Sequence, residues 1–151
     1  MRSYLVVMDG TGEARAALRF AARKAARTGG GVEILALVEQ AEFSQWGAVQ
    51  AAMEEEARLR AEAMLVEASG AIAEEAGIKP AITVKQGDPA KAVTELLKER
   101  DDITALVLAA ATNGGPGPLI GHFAGPAAAG LPCPLIIVPA ALGDEALDRL
   151  A

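Results

Sequence analysis

The chain has 151 residues, 52% of them hydrophobic and 23% charged, with a formal net charge of −6. That length suits a single domain with a sizeable buried core. The acidic balance, without any basic run, argues against nucleic acid or an anionic membrane surface as partner, and one cysteine excludes an internal disulfide or a cysteine-rich zinc site.

The opening "MRSYLVVMDG" holds only a short apolar run before Asp9. It is too short for a signal peptide or a membrane span, so a cytoplasmic protein is expected. Further apolar runs follow at 32–38, 81–85, 103–111 and 134–138, after the first at 4–8. Several are Val, Ile and Leu-rich without strict alternation, which fits strands covered on both faces of a parallel sheet.

Helical periodicity fills the gaps. In 13–27 an alanine and leucine face opposes Arg15, Arg19, Arg23 and Lys24, with Thr11 as the expected N-cap and the glycines at 29–31 as the stop. The segment 47–76 predicts a long helix with Val49, Met53, Ala57, Met64, Leu65, Ala68 and Ile72 as its apolar stripe. Its "EEE" reads as a solvated face with Glu54–Arg58 and Glu56–Arg60 pairs. A third helix over 89–99 is capped by Asp88 with Pro89 in its first turn. Residues 122–130 must supply a crossover, and 141–151 form a tail with one short, frayed helix behind a 1–140 domain. Alternating strands and helices predict an α/β fold with a parallel sheet and right-handed crossovers. Ligands then bind outside the carboxyl ends of the strands, where the winding reverses.

One of those ends is "ATNGGPGPLIGHFAG", residues 111–125, a glycine-rich loop without lysine or arginine. Familiar nucleotide motifs fail. After the first strand, Arg15 takes the third glycine position of a dinucleotide fingerprint and Asp9 would face the pyrophosphate; no P-loop exists. No nucleophile elbow is present, and an acid/base pair of Asp9 with His122 lacks an orienting third group, so no catalytic residue is assigned. Asp9 reads either as a turn-ordering residue or as a ligand contact; His122 reads as a helix N-terminal residue facing solvent or an anion. Phe43 and Trp46 suit either a flap over a pocket or a staple for the long helix, whereas Phe123 suits an anchor for the crossover. Cys133, in "LPCPLIIVP", suits apolar packing. No metal site is expected.

Three segments carry a resemblance: "LVVMDGTGEARAALRFAARKA", "VKQGDPAKAVTELLKERDDITALVLAA" and "GHFAGPAAAGLPCPLIIVP". In order and spacing they resemble the universal stress proteins. The resemblance implies a three-layer α/β/α architecture of the adenine nucleotide alpha hydrolase-like type, with a five-stranded parallel sheet in the order 3-2-1-4-5. It also implies a homodimer, stress-related regulation rather than an enzyme, and an adenine-nucleotide site. Carried over from the ATP-binding branch, Gly114 and Gly117 match the first two loop glycines. Gly121 matches the last, and His122 stands where a phosphate-binding hydroxyl belongs. Asp9 matches the residue that meets the nucleoside, and Val38 the one beside adenine. Pro116 and Pro118 lack N–H groups and the loop is short, so ATP is expected to bind weakly or not at all, while AMP, another adenine nucleotide or a nucleoside stays open as a weak ligand. The alternative is a scaffold of the same fold that binds another protein instead of a nucleotide. The edge strand Leu135, Ile136, Ile137 and Val138 is the expected dimer contact.

Overall fold

The computed structural model describes residues 2–9, 11–38 and 47–151, the side chains of 47, 48 and 50 excepted. Phe43 and Trp46, read above as flap or staple, lie outside the described residues. The elements run β1 (Ser3–Met8), α1 (Ala14–Thr28), β2 (Gly31–Val38), α2 (Gly47–Ala76), β3 (Ala81–Gln86), α3 (Pro89–Glu99), β4 (Ile103–Ala110), α4 (Pro118–Phe123), β5 (Leu135–Pro139) and α5 (Asp144–Leu150). The five strands form one parallel sheet in the order β3-β2-β1-β4-β5. The winding direction therefore reverses between β1 and β4.

Alternate residues of each strand feed two cores. Val6, Ile34, Ala36 and Val107 face α1, α2 and α5, while Leu5, Leu35, Leu106 and Leu108 face α3 and α4. The alanines of α1 (Ala17, Ala21, Ala22, Ala25) are all buried, and their small size lets the helix lie close to the sheet. α1 starts at Ala14, later than the Thr11 cap predicts: the Thr11 hydroxyl donates to Asp9, the Arg15 and Ala16 amides go to the Gly12 and Glu13 carbonyls, and Glu13 takes the N-cap position without a side-chain bond. α3 begins as its sequence predicts: Asp88 accepts a hydrogen bond from the Lys91 amide at 2.9 Å, and Pro89 opens the helix.

α2 outreaches the sheet it covers. Its 30 residues span about 45 Å at 1.5 Å per residue, whereas the eight of β2 span about 26 Å. Leu65 and Ile72 are buried, but Val49 and Met53 at the overhanging end are exposed. On its outer face Arg60 reaches Glu56 at 3.8 Å, as the spacing predicts, while Arg58 reaches Glu55 and Glu62.

The crossover from β4 to β5, expected to run through 122–130, is mostly irregular. α4 occupies Pro118–Phe123, and a turn leads to a single 3-10 turn at Ala128–Gly130. Pro118 presets the first helical position, and Leu119, Ile120 and Phe123 supply one apolar face, all buried. Residues 124–130 carry only Ala, Gly and Pro, so nothing there anchors a second helix.

The tail does not fray. Leu147 is buried, and Arg19 clamps Asp148 with two 2.9 Å hydrogen bonds while reaching Glu75 of α2 at 2.7 Å. Arg23 adds a contact to Asp148 at 3.2 Å.

Candidate functional site

At the switch point the ends of β1 and β4 diverge and leave a cleft of about 270 Å³. Its floor is Val7, Leu108 and Ala109; Asp9 and Thr11 form one rim, and residues 113–118 the other. Gly114, Gly115 and Gly117 all adopt positive φ, at 75°, 88° and 103°. Gly117 combines its φ with a ψ of 160°, a region open essentially to glycine alone. These conformations fold the chain back over the cleft.

Asp9 orders the turn after β1, the first of the two roles its sequence position left open. Its Oδ1 accepts bonds from the Thr11 amide at 3.1 Å and the Thr11 hydroxyl at 2.6 Å, which ties down the turn into α1. Its Oδ2 has no partner among the described residues, and the side chain borders the cleft. Glu13 borders it too, a second carboxylate that the motif comparison passes over. No lysine or arginine lines this cleft. Each phosphate charge brought within 4 Å of a carboxylate costs about 1 kcal/mol even at the dielectric constant of water.

The remaining sequence-predicted residues lie elsewhere. Val38 is buried at the end of β2 and does not line the cleft. Gly121 and His122 are not at a helix N-terminus: Gly121 is the fourth residue of α4, and His122 belongs to its last turn. His122 stacks edge-on against Phe123 at 4.9 Å and borders a separate groove with Asp88, Lys91 and Lys98 of α3. Asp9 and His122 therefore line different cavities. Matched backwards from the Pro-Cys-Pro segment, the last motif glycine is Gly121 and the hydroxyl position His122. Counted forward past residues 118–126, its position falls on Ala127 and the hydroxyl position on Ala128, neither of which offers a side-chain oxygen.

Gly125 has a role that sequence reading missed. A Cβ there would fall 2.6 Å from the Gly121 carbonyl oxygen, so the chain can double back on α4 only with glycine. Cys133 is half-buried, and burial pushes its thiol above the usual range, which suits packing rather than nucleophilic chemistry. Among the described residues no cluster of His, Cys, Asp and Glu could hold a metal ion, and no helix is long and apolar enough to cross a membrane.

A parallel 3-2-1-4-5 sheet, with an aspartate closing its first strand and a glycine loop after its fourth, defines an adenine nucleotide alpha hydrolase-like domain. The chain belongs to the universal stress protein family, whose sequence profile matches residues 1–139. Among solved structures, the universal stress protein UspA from Lactobacillus plantarum superposes with a TM-score of 0.78 at 17% identity, over 91% of this chain and 97% of that one. A universal stress protein from Archaeoglobus fulgidus in complex with dAMP gives 0.63 at 18% identity, over 91% and 97%. A family member from Arabidopsis thaliana with AMP bound gives 0.56 at 15%, over 92% of each chain. At these identities the likeness is one of fold. No curated protein sequence matches the chain.

Proposed function

We propose that this protein is a regulatory binding protein that takes an adenine nucleoside or nucleoside monophosphate, without a catalytic cycle, in the cleft between Asp9 and the Gly114–Gly117 loop. One observation carries the reading: three positive-φ glycines close over a cleft at the switch point whose charged lining, among the described residues, is Asp9 and Glu13. The unpartnered Oδ2 of Asp9 can accept from a ribose hydroxyl. Two prolines remove amide donors from the loop, and the six-residue α4 adds little dipole, so a triphosphate finds no compensation for its charge. Relatives solved with AMP and dAMP support an adenine monophosphate as the ligand class.

Calorimetric titration with adenosine, AMP and ATP, with and without magnesium, tests this. AMP or adenosine should bind at least as tightly as ATP, and Asp9→Ala should remove the binding. ATP binding much tighter than AMP, or binding untouched by Asp9→Ala, would sink the proposal.

The same reading includes a homodimer built on the free edge of β5. Ile137 is exposed there and Leu135 and Ile136 are half-buried, whereas Val138 is buried and would contribute backbone only. Antiparallel pairing with a second β5 would satisfy that edge. Light scattering at micromolar concentration decides it, and a monomer would remove the idea.

A further inference from the structure

A second cavity, of about 320 Å³, opens between α1 and α2 and shares only Thr11 with the Asp9 cleft. Its apolar walls come from Met8 of β1, Leu18 of α1, and Met64, Ala68 and Ile72 of α2. Packed interiors do not leave voids of that size, and apolar clefts of roughly 300 Å³ or more with a few polar groups are where small molecules bind. Two of the wall residues are methionines, which adapt to irregular ligands.

Four charged residues line the mouth: Arg15, Arg19, Glu67 and Glu75. Arg19 is spent on Glu75 and Asp148. Arg15 and Glu67 have no partner among the described residues. The two are not equivalent. Arg15 stands in the first turn of α1, where a cation opposes the helix dipole and Glu13 at the N-cap is the nearest carboxylate along the chain. A guanidinium left unpaired in an unfavourable place is a local inconsistency of the kind that marks a working site. An anion on Arg15 also lies at the positive end of the α1 dipole, whereas Glu67, in the middle of α2, has no such support.

We infer that the α1–α2 cavity binds a small amphipathic carboxylate, with its apolar body against Met8, Leu18, Met64 and Ile72 and its carboxylate on Arg15. Arg15 offers a planar fork that matches a carboxylate. Glu67 opposes the same charge from across the mouth and limits the affinity. The site stands apart from the nucleotide reading, since it uses neither Asp9 nor the glycine loop.

Calorimetry with octanoate tests it, with 1-octanol as the uncharged control. Octanoate should bind once per chain. Arg15→Gln should weaken it roughly tenfold, the worth of one charge-assisted hydrogen bond at a partly exposed site, and Glu67→Gln should tighten it a few-fold. Neither substitution should change octanol binding. Both side chains lie at the mouth, so the variants should fold, and far-UV circular dichroism checks that they do. Ala71→Trp, at an exposed position on the cavity rim, should block both probes. Absence of octanoate binding at millimolar concentration, or equal affinity in the wild type and Arg15→Gln, would overturn the inference. Displacement of octanoate by AMP would place it in the Asp9 cleft and overturn it equally.

Discussion

Replacing Arg100 by alanine asks how the interior tolerates an unpaired charge. Glu33 of β2 points toward the α3 face of the sheet, with its side chain 2% exposed. Its Oε1 accepts a hydrogen bond from the Thr83 hydroxyl at 2.6 Å. Its Oε2 has no aligned hydrogen bond and is neutralised by the Arg100 guanidinium at 3.3 Å. The same guanidinium grips Asp102 with two 2.7 Å bonds. Without it, Glu33 keeps one hydrogen bond and no counter-charge. Breaking a fully buried pair costs about 3–5 kcal/mol, but Arg100 is 34% exposed and water can enter part of the vacated space. A loss of about 2–3 kcal/mol follows, or roughly 5–10 °C in Tm for a chain of this size. Urea unfolding followed by circular dichroism should show a lower midpoint at an unchanged m-value. Adding Glu33→Met to the variant should recover stability, because an apolar pair can replace a buried ionic one at little cost. If Arg100→Ala lost less than about 0.5 kcal/mol, or if Glu33→Met deepened the loss, this reasoning would be refuted.

Asp88→Ala removes the only side-chain bond at the start of α3 and should cost about 1 kcal/mol in the same urea assay. Gly117→Ala meets no steric block, yet a φ of 103° should cost it about 1–3 kcal/mol; AMP titration should show weaker binding as the loop relaxes. Acid should weaken the fold through Asp102 and Asp148, whose carboxyls Arg100 and Arg19 hold below the ordinary range. A depressed folded-state pKa gives stability that is complete above about pH 4 and lost as pH falls through the folded value. Tm from these groups should therefore be level between pH 7 and 5 and fall below 4, and Arg19→Ala should flatten part of that fall. Ile137→Lys should change stability by no more than about 0.5 kcal/mol, because the side chain is 43% exposed, while light scattering should show any dimer dissociating.

The strands were legible because their runs are apolar on both faces, as at Ile34 and Leu35, which enter opposite cores. The start of α3 was legible because Asp88 and Pro89 act on their own neighbours. The strand order came from the family resemblance, since periodicity does not fix which strand lies beside which. Thr11 misled because the same hydroxyl can cap a helix or close an aspartate turn, and Asp9 lies nearer than the amides of α1. The Glu33–Arg100 pair stayed hidden because it joins residues far apart in sequence. Ile82 and Val84 read as core strand but are exposed, because β3 is an edge that α2 does not cover.

The irregular crossover between β4 and β5 accounts for the exposed edge. Ile137 pairs with Leu108, and both project from the α3–α4 face of the sheet, yet Leu108 is buried and Ile137 is not. α4 ends at Phe123, which roots it beneath β4 and α3, so no helical side chain extends over β5. Residues 124–130 form turns and one 3-10 segment, with no helix to lie over Ile137. On the other face α5 returns to the sheet side occupied by α1, where Leu142 and Leu147 pack with Ile136 and Val138. β5 is thus held by Ile136 and Val138 on the α1–α5 face and by Leu135 on the other, while Ile137 stays exposed at its free outer edge. A variant with helix-forming residues at 124–130 should therefore cover Ile137 and lower any self-association seen by light scattering.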